Sequence, residues 1–234
     1  MADDNEAPLV NIDPEGDVIL AVGEPVQAKL RISSAILSRT SKVFAALFSP
    51  RYASLAHRLC KGDCPADSSI RRYSEGHDLH AMARPRTIKL PEDEAEPMSD
   101  MCKLLHCGDT NIHEDGTTNH SRVFAFAVAV DKYDCVKALR PQIQGILLGW
   151  LDRDRKPTIS GIEHGEMLAA AYLLDHKRAF GVITQNLMRK WNGQFSSWQA
   201  RSTTLSSGNF WCRLPANALC KLSVSFFRHD LKST

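Results

Sequence analysis

The sequence lacks a long hydrophobic run. Its most apolar stretch, VFAFAVAV at 123–130, is far shorter than the roughly 18 residues that a membrane-spanning helix needs, so we expect no membrane association. The N-terminal residues MADDNEAPLVNIDPEGD are acidic and lack both the cationic start and the apolar centre of a secretory signal. These two absences predict an intracellular protein of the cytoplasm or nucleus.

The chain also has little excess charge of either sign. Its 29 Lys and Arg residues face 27 Asp and Glu residues, which leaves a formal charge of +2. Such a balance does not supply the broad basic surface of nucleic-acid binders, and we expect no nucleic-acid partner. The seven cysteines are scattered, and their odd number suits reduced thiols better than a disulfide framework.

Signatures of catalysis are missing as well. The chain contains no G-x-S-x-G nucleophile motif, no phosphate-binding G-x-x-x-x-G-K-[ST] loop and no G-x-G-x-x-G dinucleotide motif. Cys135 follows Asp134, but no histidine can be identified as its base, so nucleophilic catalysis has little support.

Residue types that bind zinc occur together in one stretch, at His57, Cys60, Cys64 and His77. Tetrahedral zinc sites usually draw on paired Cys-x-x-Cys elements, and this spacing matches no such pattern. Cys102, His106 and Cys107 share one predicted helix, where cysteines commonly pack as small apolar groups. We therefore expect no metal site and no cofactor.

Apolar runs bounded by turn formers predict three strands. Residues 17–22 (DVILAV) and 25–32 (PVQAKLRI) should pair antiparallel around the corner of Gly23 to Pro25. The segment RTIKL at 86–90 is the third strand. The residues after it predict a helix with acidic residues in its first turn, closed by Gly108.

A pair of short helices is predicted between the second and third strands. Ser33 and Ser34 offer N-cap hydroxyls to the first helix, and Ser41 caps the second. The second helix shows apolar residues at helical spacing, namely Val43, Phe44 and Leu47.

The rest of the chain has mainly helical patterns. Residues 121–142 carry apolar side chains on nearly all sides in their first part, which predicts a helix central to the core. Pro141 separates this helix from the next. Residues 161–191 predict two further helices that meet near Asp175 and His176.

Several short motifs follow one another in a familiar order. They are GDVILAV at 16–22, SSAILSRTSKVFAALF at 33–48, LLHCG at 104–108 and AVDKYDCVKAL at 129–139. In this order and spacing they resemble the BTB/POZ domain, over residues 16–140. The combination of SPRY, RTIKLPEDE and AAAYLLDH further resembles fungal BTB-domain proteins that carry a helical C-terminal region.

The resemblance implies an α+β fold of the BTB/POZ type, with a small β-sheet flanked by a cluster of helices and followed by a mostly α-helical C-terminal region. It divides the chain into a flexible acidic N-terminus at 1–15, a BTB/POZ domain at 16–140 and a helical extension at 141–234. The implied function is that of a non-catalytic scaffold or adaptor that binds other proteins.

Two features depart from the family. Many BTB domains have a basic residue where this chain has Ser33 and Ser34, and in some it pairs with the opening Asp to form a charged groove. Asp17 is present here without that partner, so a co-repressor role is not implied, and Asp17 and Ser34 stand as candidate partner-binding residues. The segment before the first strand is short for the family's swapped dimer, which leaves a homodimer open.

Residues 52–72 interrupt the matched region, where the family usually runs directly toward the third strand. An Arg-Tyr pair stands at both joints, as Arg51-Tyr52 and Arg72-Tyr73. We hypothesise that this block is a translated intron. We expect it to be a disordered insertion, since a surface loop of this kind costs only about 1 kcal/mol of closure free energy.

Two alternatives accompany the adaptor function. The first is a substrate adaptor of a cullin ubiquitin ligase, because BTB adaptors meet the cullin near the acidic segment LPEDEAEP at 90–97 and the helix after it. There, Met98, Met101 and Leu105 are candidate contact residues. We expect most apolar residues of this helix to face inward and one or two at its end to protrude as a hydrophobic anchor. The second, from another class, is a small cysteine-dependent hydrolase or redox enzyme, which requires a thiol of lowered pKa.

Overall fold

The structure is a computed structural model that describes residues 7–49, 85–110, 112, 119–153 and 161–190. The chain divides into two compact units. The first unit combines Met1–Asn111 with Ala129–Gln142, and the second combines Ile112–Val128 with Ile143–Thr234. The block at 52–72 lies outside the described residues.

The first unit contains a four-stranded sheet. Its strands are β1 (Leu9–Asn11), β2 (Val18–Val22), β3 (Ala28–Ile32) and β4 (Arg86–Leu90), in the order β1-β3-β2-β4. β2 pairs antiparallel with β3, with Leu20 opposite Leu30, and parallel with β4, with Leu20 opposite Ile88. The predicted hairpin and the predicted third strand are therefore confirmed.

Two glycines fix the ends of the β2–β3 hairpin. Gly23 has a φ of 89°, a left-handed conformation that residues with a Cβ adopt only at a cost. At the other end of β2, a Cβ on Gly16 would lie 2.5 Å from the carbonyl oxygen of Ile32. The backbone approaches too closely there for any side chain.

Strand β1 differs from the prediction of a flexible N-terminus at 1–15. It pairs parallel with β3, and the Lys29 amide donates a hydrogen bond of 2.9 Å to the Pro8 carbonyl. Three residues are too short a run to show strand periodicity in a sequence. The strand exists because β3 offers an unpaired row of backbone groups, which only the folded sheet creates.

The two predicted short helices are α1 (Ser34–Thr40) and α2 (Lys42–Phe48). Ser41 caps α2 as expected, because its Oγ accepts a hydrogen bond of 3.0 Å from the Phe44 amide. The Ser33 hydroxyl does not cap α1. The Asp17 carboxylate does so instead, by accepting a hydrogen bond of 2.8 Å from the Ser34 amide.

Helix α3 (Ala95–Leu105) follows β4. Its end differs in detail from the prediction that Gly108 closes it. Cys107 takes the left-handed conformation, with a φ of 58°, while the Gly108 amide donates to the Lys103 carbonyl at 2.8 Å. Both residues thus complete the helix end, through different backbone groups.

Four further helices follow, which are α4 (His120–Lys132), α5 (Arg140–Arg153), α6 (Gly161–Leu173) and α7 (Lys177–Lys190). α4 ends earlier than predicted, because Asp134 turns into the left-handed region with a φ of 51°. Pro141 lies in the first turn of α5, where its missing amide hydrogen is not needed. The predicted junction at Asp175 and His176 is confirmed, and the His176 imidazole caps α7 by accepting from the Ala179 amide at 3.1 Å.

The described part of the chain is mixed α and β, with four strands and seven helices. None of these helices is long and apolar enough to cross a membrane. The sheet contributes some of the largest fully buried side chains of the first unit, among them Leu20, Leu30 and Ile32. Burial of such side chains is the main favourable contribution to folding.

We predict that Leu20→Ala lowers the free energy of unfolding by about 2–5 kcal/mol, because Leu20 is fully buried and its truncation leaves a cavity. Leu9→Ala is the matched control, since Leu9 is 50% exposed and should change stability by about 0.5 kcal/mol or less. Urea unfolding followed by circular dichroism measures both. Equal losses in the two variants would contradict this description of the sheet.

Candidate functional site

The first unit has an open groove between α2, the end of β4 and the end of α4, with a volume of about 710 Å³. We call it the α2–β4 groove. It is lined by Lys42, Val43, Ala46, Leu47, Lys89, Leu90, Pro91, Glu92, Asp93, Lys132 and Tyr133. A cleft of this size that combines apolar and charged side chains is a natural candidate for a binding site.

Aromatic stacking joins α2 to the residue that follows α4. The Tyr133 ring stacks on Phe44 with 4.4 Å between centroids, and Phe44 also stacks on Phe48 at 5.6 Å. The Ser41 hydroxyl adds a hydrogen bond to the Tyr133 carbonyl. The position of α2 is thereby set by contacts with a residue far along the chain.

Asp93 fixes the loop between β4 and α3, which forms another side of the groove. Its carboxylate accepts a hydrogen bond from the Lys132 ammonium and one from the Tyr133 hydroxyl, each of 2.8 Å. The Asp93 side chain is only 8% exposed, so both bonds act in a partly desolvated setting where hydrogen bonds to charged groups contribute about 1.5–3 kcal/mol. The groove is thus held by tertiary contacts on two sides.

The accessible surface of the groove is apolar on α2. Val43 is 38% exposed, although it is a large aliphatic residue, and Ala46 beside it is exposed as well. The sequence pattern placed Val43 on the same apolar side as Phe44 and Leu47. In the structure Phe44 is buried and Leu47 half-buried, whereas Val43 faces solvent. Exposed apolar side chains grouped in a groove are typical of interaction sites.

The predicted partner-binding residues Asp17 and Ser34 contact each other. The Ser34 hydroxyl donates a hydrogen bond of 2.6 Å to one oxygen of the Asp17 carboxylate, and the Ser34 amide donates to the other oxygen at 2.8 Å. Both carboxylate oxygens are engaged at the start of α1, so this Asp serves local structure.

The other three predicted contact residues lie in the interior. Met98 and Met101 are fully buried, and Leu105 is buried as well. Their spacing of three and four residues puts them on one face of α3, and this face packs inward. The structure therefore does not present them as exposed anchors, and of the apolar residues at that end of the helix Leu104 is the half-buried one.

The cysteine alternative depends on thiolates, and the two buried thiols among the described residues, Cys102 and Cys135, do not favour that state, whereas Cys107 is exposed. Burial raises the pKa of Cys135 to about 11, and its Sγ donates to the Tyr133 carbonyl at 3.4 Å. Burial also raises the pKa of Cys102. Both thiols are protonated at neutral pH, and a protonated thiol is a poor nucleophile.

The zinc-type residues at His57, Cys60, Cys64 and His77 lie outside the described residues. Among the residues that the structure does describe, no group of three or more His, Cys, Asp or Glu side chains is arranged to hold a metal ion.

A polar cluster in the second unit has no counterpart in the sequence predictions. His120, at the start of α4, places Nδ1 2.6 Å from Glu166 Oε2, and its Nε2 lies 4.0 Å from Glu163 Oε1. The two glutamates are three residues apart on α6 and so share one face. That spacing was visible in the sequence, but the histidine that meets it comes from a distant helix.

Ser121 makes this cluster look superficially like a catalytic triad. Its hydroxyl donates to the same Glu166 oxygen at 2.8 Å and lies 3.3 Å from His120 Nδ1. Because a carboxylate only accepts hydrogen bonds, Nδ1 donates to Glu166 and cannot take the proton of the serine. A serine nucleophile requires the reverse order, in which the serine donates to the histidine and the histidine to the carboxylate. The hydrogen bond to Glu166 raises the pKa of His120, against the opposing effect of partial burial. The arrangement links α4 to α6 through the hydrogen bond between His120 and Glu166.

A comparison of the chain with models of known protein families finds no match, and a search of curated proteins finds no relative. The geometry of the described residues and the motifs in the sequence are therefore the basis for the functional argument.

We predict that Tyr133→Phe lowers the free energy of unfolding by about 1–3 kcal/mol, because it leaves the partly buried Asp93 carboxylate with one hydrogen-bond donor fewer. Tyr172→Phe is the matched control. The described residues include no hydrogen-bond partner for the Tyr172 hydroxyl, so its loss should cost about 0.5 kcal/mol or less. Chemical denaturation measures both, and similar values would show that the Tyr133 hydroxyl does not fix the loop.

The raised pKa of His120 predicts a pH-dependent contribution to stability. A folded-state pKa above the unfolded value of 6.5 means that the contribution is fully present below pH 6.5 and is lost as the pH rises through the folded-state pKa. The difference in unfolding free energy between the wild type and His120→Gln should therefore shrink as the pH rises above 6.5.

Two further variants separate the causes of this pH dependence. Glu166→Gln should remove most of the pH dependence, since the hydrogen bond to Glu166 is the main cause of the raised pKa of His120. Ser121→Ala should retain the pH dependence. A difference between wild type and His120→Gln that stays constant across neutral pH would show that the imidazole does not titrate in this contact.

Proposed function

We propose that this chain is a non-catalytic protein-interaction module of the BTB/POZ type, and that it binds partner polypeptides in the α2–β4 groove. The observation that carries the proposal is the groove itself. It exposes aliphatic side chains on α2, and it is held open by tertiary contacts of Phe44, Asp93 and Tyr133. A preorganised surface loses less entropy when a partner binds.

The order of the elements supports the BTB/POZ type. An antiparallel hairpin is followed by two short helices, by a strand parallel to the first hairpin strand and by further helices. This is the order on which the resemblance in the sequence depends. Fold alone does not define function, and the groove is the feature that supports partner binding.

The chemistry of the described residues favours a non-catalytic role. The buried thiols Cys102 and Cys135 are protonated at neutral pH. Ser121 donates to the Glu166 carboxylate, and the nearby His120 Nδ1 donates to the same carboxylate, so the imidazole is not placed as a base for the serine. A cysteine-dependent hydrolase or redox enzyme is accordingly the less favoured class. The proposed location is the cytoplasm or nucleus, where the seven scattered cysteines would be kept as reduced thiols.

A second candidate function is that of a cullin adaptor. The acidic segment at 90–97 is where the family resemblance places the cullin contact, and its residues Leu90 to Asp93 line the α2–β4 groove. For this second candidate, the exposed Val43 would be the hydrophobic anchor at the cullin contact, because Met98, Met101 and Leu105 of α3 are buried.

We predict that Val43→Asp abolishes partner binding without unfolding the protein. Val182→Asp on α7 is the matched control, because Val182 is 37% exposed and Val43 is 38% exposed, while Val182 lies outside the groove. Proximity labelling with the two variants and the wild type, at equal expression, measures the partner set. Circular dichroism checks that both variants fold.

Loss of a defined set of partners in Val43→Asp alone supports the groove as the binding site. An identical partner set in all three proteins would overturn it. Recovery of a cullin that depends on Val43 would support the second candidate function, and its absence from the wild-type set would remove that candidate.

A further inference from the structure

Of the three lysines that line the α2–β4 groove, one forms an ion pair with a residue that the structure describes and two do not. Lys132 and Asp93 form an ion pair with 2.8 Å between Nζ and Oδ1, so these two charges cancel. Lys42 and Lys89 are exposed, and within the described ranges neither of them takes part in an ion pair. Both ammonium groups are therefore available to a ligand.

The groove has one further charged residue, Glu92, which is exposed. Three lysines against two carboxylates leave the lining with one net positive charge. This excess stands beside aliphatic surface from Val43 and Leu47, so the groove joins a hydrophobic contact area to two lysines that form no ion pair within the described residues. Complementary charge steers encounter and selects among partners that fit the same apolar surface.

We infer that the groove binds an acidic polypeptide segment, in which an aliphatic side chain packs against Val43 and neighbouring carboxylates meet Lys42 and Lys89. The inference rests on the proposed function and narrows it to one chemical class of partner. The aliphatic side chain provides affinity by displacing water from the exposed apolar surface. The carboxylates provide discrimination, because a basic segment would place like charges together.

The experiment is a selection of randomised short peptides, displayed on phage, against the full-length protein. Counter-selection against the Val43→Asp variant removes peptides that bind elsewhere. Synthetic versions of the selected peptides are then measured by fluorescence anisotropy against the wild type, against the double variant Lys42→Glu with Lys89→Glu, and against Lys137→Glu. Lys137 is an exposed lysine outside the groove and is the matched control for a change of charge.

We expect the selected peptides to combine an aliphatic residue with Asp or Glu. The double variant should weaken their binding about tenfold or more, whereas Lys137→Glu should leave it within about twofold. Added salt should weaken binding to the wild type, since the contacts are exposed. Circular dichroism of each variant shows that the fold is kept, as expected for exposed positions.

Other outcomes separate this inference from the proposed function. Peptides that depend on Val43 but are neutral or basic would overturn the acidic class and leave the groove as a binding site. Acidic peptides with equal affinity for the wild type and the double variant would overturn the role of the two lysines. Failure to select any peptide that depends on Val43 would overturn both the inference and the proposed site.

Discussion

The groove depends on the contacts of Tyr133. Its ring stacks on Phe44, its carbonyl accepts a hydrogen bond from Ser41 and its hydroxyl donates to Asp93. One residue thereby joins the helix pair, the loop after β4 and the end of α4. Ser41 and Tyr133 are 92 positions apart in the sequence, so this junction forms only when distant parts of the first unit fold together. Local helix propensity alone would leave α2 unsupported, because isolated helices of this length are marginal in water.

The same contacts explain how a surface can be apolar and still well defined. Phe44 is buried and stacks on Tyr133, while the adjacent residue Val43 is exposed at the groove. The Asp93 carboxylate is paired with the Lys132 ammonium and hydrogen-bonded by the Tyr133 hydroxyl. Its negative charge therefore contributes little to the electrostatic potential at the groove surface. The groove therefore combines a hydrophobic contact area with a small positive excess.

In the second unit, a histidine–glutamate contact links two helices. His120 lies between two glutamates of α6, and its raised pKa makes the contact between α4 and α6 stronger when the imidazole is protonated. The groove lies in the first unit, and this His–Glu contact lies in the second. Its effect is on the stability of the helical region, and it needs no ligand.

The sequence by itself determined most of the elements. Apolar alternation with Gly23 at the corner defined the hairpin, and capping by Ser41 defined the start of α2, because these signals act over a few residues. Tertiary structure decided the rest. Strand β1 exists only against β3, and Asp17 replaces Ser33 as the cap of α1. The candidate contact residue Met98 is buried, whereas Val43, which belongs to the apolar repeat of α2, is exposed. A repeat of apolar residues shows which side of a helix packs against something, but the neighbours that fill the space determine which side chain stays in contact with water.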